Sequence, residues 1–255
     1  MISGFKALHK FIKDSKPKRV ALVAAEDPVL IQAAIRAQQE GLAHFILFGN
    51  SRKIESLIPP GITGFEIIDS QQPALDAIQH IHAGNADLLM KGKIQTGDLL
   101  RAILDKDTGL RQGELLNHIA VIESPHYHKL LFVSDGGINL HLDEHVFQQM
   151  VGNITQYLKL LGLDRPHFGM MALVETVSDK IPETVIARNV VKHLSKTVSI
   201  EGPIAPDVAL SREAAQKKGL NSKISGEIDV FLMPNTTAAN HLVKGLFALG
   251  GCKAG

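Results

Sequence analysis

The chain has 255 residues, 45% hydrophobic and 21% charged, enough to bury one large core or two smaller ones. Lysine plus arginine number 27 against 26 aspartate plus glutamate, and aromatic side chains are 5% with no tryptophan, so neither nucleic acid nor a charged membrane surface is an expected partner. A single cysteine, Cys252, excludes an internal disulfide and fits a reducing cytoplasm, and no run of about 18 apolar residues offers a membrane span.

The opening MISGFKALHKFIKDSKPKR alternates charge with apolar positions, reads as a helix, and lacks the apolar core of a signal peptide. Strands are then expected over residues 19–25, 44–49, 65–68 and 87–90, separated by helices over 28–40, 51–57 and 72–83. Helices of this length between strands indicate βαβ units, hence a parallel sheet covered on both faces. From Thr108 the pattern changes: TGLRQGELLNH is loop-like, and apolar runs over 118–123 and 129–134 joined by SPHYH read as a hairpin. Helices over 144–161, 183–194, 206–218 and 236–249 alternate with strands over 168–174, 198–200 and 228–233. Weak connectors at 107–113 and 234–237 place the joints, giving a first lobe of residues 1–112 plus 238–255 and a second of 113–237.

One stretch organises the first half. In ADLLMKGKIQTGDLLRAIL, residues 86–104, an apolar strand suited to burial on both faces gives way to a basic, glycine-containing turn and then a helix. Gly92 lets the backbone turn where a side chain would crowd a ligand, and Thr96 is the expected helix cap. The helix N-terminus beside Lys91 and Lys93 favours a phosphate or carboxylate, although solvated lysines on an ordinary strand-turn-helix explain the same residues. It is not a Walker loop, because no glycine stands five residues before Gly92 and Ile94 follows Lys93.

Three further strand ends carry polar residues: Ser134-Asp135-Gly136-Gly137, Glu201-Gly202-Pro203 and Pro234-Asn235. If the strands run parallel, their carboxyl ends bring Asp135, Glu201, Asn235 and Asn240 toward Lys91 and Thr96, while each residue alone also reads as an ordinary turn or cap. Asp207, after Pro206 at a helix opening, is either a cap or a general base. His141-Leu-Asp-Glu144-His145 matches the spacing of inverted zinc proteases, but Asp143 and Glu144 suit the first helical turn, which leaves His141 outside it. No metal site is expected from the twelve histidines, and Cys252 reads as an inert thiol. Neither G-x-S-x-G nor G-x-G-x-x-G occurs.

Taken in order, LLMKGKIQTGDLLRAIL, GLRQG, HIAVIESPHYHKLLFVSDGGIN, IEGPIAPDVALSREAAQKKG and MPNTTAAN resemble the phosphate acetyltransferase and phosphate butyryltransferase family. The hairpin Tyr127-His128-Lys129 and the short chain look more like the butyryl branch. The resemblance implies an α/β fold of two α/β/α lobes with mainly parallel sheets and a cleft between them, in the isocitrate/isopropylmalate dehydrogenase-like architecture. It also implies a cytoplasmic homodimer paired through the second lobe, and the exchange acyl-CoA + phosphate = acyl phosphate + CoA, with coenzyme A as substrate and no cofactor. Carried over by residue, Asp207 becomes the catalytic base, and Lys91, Gly92, Lys93, Thr96, Arg111 of GLRQG, Ser134, Asp135, Asn235 and Asn240 the phosphate and coenzyme A contacts.

Two departures from the family pattern stand out. Glu201 occupies a position where many relatives have aspartate, and the chain stops at Gly250-Gly-Cys-Lys-Ala-Gly255, where relatives continue into an apolar strand and a Ser-Arg segment. A truncated, catalytically impaired coenzyme A-binding chain is therefore one alternative. A metal- and NAD-dependent dehydrogenase of related fold is the other, and its aspartate cluster is met by Asp207 alone.

Overall fold

The computed structural model describes residues 3–113 and 115–255. The chain divides into two compact units, Leu8–Gln112 and, joined to the residues ahead of Leu8, Gly113–Gly255. Residues 238–255, expected with the first lobe, therefore belong to the second. The physical reason is pairing: β10 (Lys253–Ala254) adds antiparallel to β5 (Ala120–Glu123), and Gly255 and Val121 exchange backbone hydrogen bonds.

The first unit carries most of α1 (Phe5–Lys13), then β1 (Lys18–Val23), α2 (Pro28–Gln39), β2 (Ala43–Gly49), α3 (Ser51–Leu57), β3 (Glu66–Asp69), α4 (Pro73–His82), β4 (Leu88–Lys91) and α5 (Thr96–Ile103). Its sheet is parallel with order β3-β2-β1-β4. Alternation along β1 divides the core: Val20 and Leu22 pack with Ile31 and Ile54 of α2 and α3, whereas Ala21 and Val23 pack with Ala77 and Leu99 of α4 and α5. Burying each larger aliphatic side chain contributes about 1.5–3 kcal/mol. The chain leaves β1 toward β2 and β3 and returns on the other side as β4, so the order reverses between β1 and β4. That is the switch point at which ligands of open α/β sheets bind. β4 is an edge strand rather than one buried on both faces, and Leu88 is 53% exposed.

The second unit continues with β5, β6 (Leu131–Ser134), α6 (Glu144–Leu160), β7 (His167–Met171), α7 (Pro182–Leu194), β8 (Ser199–Ile204), α8 (Pro206–Leu210), α9 (Arg212–Lys217), β9 (Val230–Leu232), α10 (Thr236–Ala248) and β10. The sheet order is β10-β5-β6-β9-β7-β8, with β6, β9, β7 and β8 parallel and the expected hairpin supplying the antiparallel β5. Phe132, Val230 and Leu232 face Phe147, Ile154 and Val190 of α6 and α7; Val133 and Phe231 face Val208, Ala215 and Ala239 of α8, α9 and α10. The helix expected over 206–218 breaks at Ser211, whose extended backbone ends α8 while its hydroxyl caps α9 by accepting from Ala214 N–H. No described helix is long and apolar enough to cross a membrane.

Candidate functional site

In the first unit the loops after β1 and β4 are sewn together at the switch point. Gly92 N–H donates to Val23 O at 2.8 Å and Lys93 N–H to Ala24 O at 2.7 Å. A Cβ on Gly92 would lie 2.3 Å from both carbonyl oxygens, so the approach of the two loops admits glycine alone. Lys91 is the last residue of β4, and both it and Lys93 are exposed, with no carboxylate within 4.0 Å among the described residues. The Lys91 ammonium reaches only Gly92 O, at 3.3 Å. Thr96 is exposed and does not cap: Gln95 is the N-cap residue of α5, and its side chain makes no capping bond either. Among the described residues no side chain caps the first-turn N–H groups of α5, which carries Asp98 in that turn and follows Lys93 by a short loop. Arg111 lies exposed in the irregular segment after α5.

In the second unit the carboxyl ends of β6 and β9 bring Ser134, Asp135, Asn235 and Asn240 together, as their neighbouring positions in a parallel pair require. Asp135 is fully buried; one carboxylate oxygen accepts from Gly137 and Ile138 N–H at 2.8 and 2.9 Å, the other from the N–H and side-chain amide of Asn139 at 3.2 and 2.6 Å. Four donors fold SDGGIN around this one side chain. Asn235 caps α10 by accepting from Ala238 N–H at 2.8 Å, and the Asn240 amide donates to Gly136 O at 3.1 Å. Thr236 donates its hydroxyl proton to Asn139 O. Ser134 accepts from the Asn117 amide at 3.1 Å and donates to His118 O at 2.6 Å.

Asp207 stands apart from this rim. It lies in the first turn of α8 beyond the edge strand β8, with β7 between that strand and β9. Its carboxylate is 62% exposed and 3.3 Å from the Lys218 ammonium, which also meets Glu175 at 2.9 Å. Burial pushes the Asp207 pKa upward, but the Lys218 hydrogen bond and charge, with N–H groups of α8, outweigh it and hold the carboxyl below its ordinary value. Lys218 is raised in turn, first by its bond to Glu175. Glu201 lies within β8 rather than at its end, accepting from Ser222 Oγ at 2.6 Å and Lys223 N–H at 2.8 Å. His141 precedes α6, whose N-cap is Asp143, so the two histidines of HLDEH do not share a helix. Cys252 is a buried free thiol between α10 and β10, not in a helical turn.

Two α/β units, one with a parallel sheet and the other with a mixed one, carry polar strand ends of the kind at which open α/β sheets bind ligands. Residues 66–255 match the model of the phosphate acetyl/butaryl transferase family. The phosphate butyryltransferase of Clostridium acetobutylicum is 32% identical over 256 residues, covering 96% of this chain and 85% of that protein. The phosphate acetyltransferase of Thermotoga maritima is 34% identical over 251 residues, covering 94% and 84%. Among solved structures, a branched-chain phosphotransacylase from Enterococcus faecalis superposes with a TM-score of 0.80 at 25% identity, covering 93% of this chain and 87% of that one. The chain belongs to the phosphate acetyl/butaryl transferase family, a family of acyltransferases.

Proposed function

We propose that the chain transfers a short acyl group, butyryl or acetyl, between coenzyme A and inorganic phosphate: acyl-CoA + phosphate = acyl phosphate + CoA. The observation that carries this reading within the family is the switch-point turn, where Lys91 and Lys93 stand without carboxylate partners among the described residues and Gly92 presses the turn onto Val23 and Ala24. Uncompensated cations at a helix opening are suited to a phosphate, since charge-assisted hydrogen bonds are about twice as strong as neutral ones. In the direction of acyl phosphate consumption, the thiolate of coenzyme A forms a bond to the acyl carbon, the carbon–oxygen bond to phosphate breaks, and phosphate leaves with that electron pair. Lys91 and Lys93 offset the charge on phosphate. The amide N–H groups of Asn235, which have no acceptor among the described residues, are candidates for the oxyanion.

Asp207 is the candidate base for the thiol proton. Against the opposing effect of burial, the Lys218 hydrogen bond and charge hold its carboxyl below the ordinary value, which keeps it ionised and able to accept a proton. The chemistry runs on the chain's own side chains, with coenzyme A as substrate and no cofactor. The protein acts in the cytoplasm as a homodimer; exposed Leu160 and Tyr157 on α6, 75% and 37% accessible, support pairing of the second units.

The test is direct. Purified protein incubated with butyryl-CoA and phosphate should release coenzyme A thiol and form an equal amount of hydroxylamine-reactive acyl phosphate, and the rate should survive a metal chelator. Thiol release without acyl phosphate would show a thioesterase instead. Light scattering at micromolar concentration should give twice the chain mass, and a monomer mass would overturn the dimer.

A further inference from the structure

The segment ahead of β5 is irregular, and side chains tie down its backbone from three directions. The Asn153 amide of α6 donates to Leu115 O at 3.0 Å and to Asn117 Oδ1 at 2.9 Å. The Asn139 amide of the SDGGIN loop donates to Leu116 O at 2.9 Å, and Ser134 at the end of β6 donates to His118 O at 2.6 Å. Asn117 closes the network onto Ser134 Oγ at 3.1 Å. Leu115 and Ile119 pack against the core on either side of the segment. Irregular backbone fixed at this many points holds whatever it presents in one place, as binding groups require.

What it presents is His118. The residue is exposed, and among the described residues no hydrogen-bond partner stands within reach of its ring nitrogens. Its Nδ1 lies 3.1 Å and its Cε1 3.4 Å from where a Cβ on Gly136 would be, so the ring lies against the glycine whose carbonyl holds Asn240. Ser134, Asp135 and the Asn235 side-chain oxygen all spend their bonds on the rim itself. Among the described residues the His118 ring, against Gly136, has no such bond, and an imidazole can donate one hydrogen bond and accept another.

We infer that His118 is a substrate-contacting residue of the acyl transfer reaction, hydrogen-bonded to a phosphoryl or acyl oxygen at the carboxyl end of β6. The inference rests on the function proposed above. It assigns Ser134, Asn117, Asn139 and Asn153 as positioning residues for that imidazole, and it gives Gly136 the role of leaving room for the ring.

The imidazole resonance of His118, identified by its loss in His118→Gln, is followed by NMR as coenzyme A and, separately, inorganic phosphate are added to the full chain. It should shift with at least one of them. In parallel, His118→Ala should lower kcat/KM at least tenfold with an unchanged melting temperature. Gln or Asn at 118 should recover part of the loss, according to which ring nitrogen makes the contact. Gly136→Ala, which displaces the ring by a few tenths of an ångström without altering a polar group, should raise KM and leave the fold intact. Resonances of other residues that move with ligand while His118 does not, or His118→Ala retaining activity within twofold, would overturn the inference alone. A protein in which neither ligand moves any resonance would overturn the proposed function together with it.

Discussion

At the carboxyl end of β4 two lysines stand with no carboxylate of the described residues beside them, whereas at the carboxyl end of β6 a buried carboxylate, three asparagine amides and a hydroxyl are bound to one another and to the backbone. In the first rim shape comes from main-chain bonds and from Gly92, and the charged groups are left over. In the second the polar side chains are the scaffold. The difference teaches that a polar residue at a strand end marks a ligand site only when its hydrogen-bonding capacity is not already used. By that criterion Lys91 and Lys93 are the ligand groups of the proposed function, Asp135 is proposed as scaffold, and Asp207, exposed but ion-paired, lies between the two.

Asp207 therefore gives the largest and most decisive expected effect. Asp207→Asn should lower turnover about 10²- to 10⁴-fold if the carboxylate takes the thiol proton, with coenzyme A affinity little changed and partial recovery at high pH as more thiol ionises unaided. Steady-state rates from pH 6 to 9 check this. Wild-type turnover in the mutant would return Asp207 to the surface pairs, with Lys218 and Glu175.

Asp135 tests the scaffold side of the contrast. In Asp135→Asn one side-chain position that accepted from Asn139 N–H and its amide becomes a donor facing donors, within a fully buried pocket. Stability should fall by about 2 kcal/mol or more, since a buried group opposed rather than bonded costs its full desolvation. Urea unfolding measures it. A stable variant that has lost phosphate affinity would instead make Asp135 a ligand group and break the distinction.

Lys91→Ala is the complement: phosphate or acyl phosphate should bind about tenfold more weakly, as expected for one charge-assisted hydrogen bond, and the urea midpoint should hold. Calorimetric titration with phosphate reads the first part. An unchanged affinity would make Lys91 a solvated lysine.

The layered α/β pattern was legible because helix and strand periods alternate with little interruption, and the hairpin ahead of the second unit was marked by two apolar runs. What stayed hidden depends on long-range pairing. Nothing in Leu88-Leu-Met-Lys91 distinguishes an edge strand from a central one, since both read as an apolar run. The joining of residues 238–255 to the second unit rests on a two-residue strand, Lys253–Ala254, too short to carry a period. Thr96 follows the rule for caps, yet the helix opens one residue earlier, at Gln95. Asn235 and Asp143 are caps as their sequence context implies. His118 left no local signal: its distinction lies in the bond from Ser134 to its own carbonyl and in those from Asn139 and Asn153 to Leu116 and Leu115 just ahead of it, which only the folded chain supplies.

The smallest expected effect separates the two ends of β4. Just ahead of its amino end, Asp87 accepts from the Arg19 N–H at 2.8 Å and from its guanidinium at 3.1 and 3.2 Å, while Asp87 N–H returns a bond to Arg19 O. The Arg19 guanidinium bond, then the Arg19 N–H, pull the Asp87 pKa from 3.8 down to about 2 against the opposing effect of burial. Because the folded value lies below the unfolded one, the pairing stabilises the protein fully above about pH 4 and is lost as pH falls through about 2. The urea midpoints of wild type and Asp87→Asn should thus differ slightly at pH 6 and converge between pH 4 and 2, with phosphate affinity at neutral pH the same in both. A difference that persists to pH 2 would mean that Asp87 acts through shape rather than charge. A loss of phosphate binding would mean that the paired end of β4 and the unpaired end at Lys91 do not act independently.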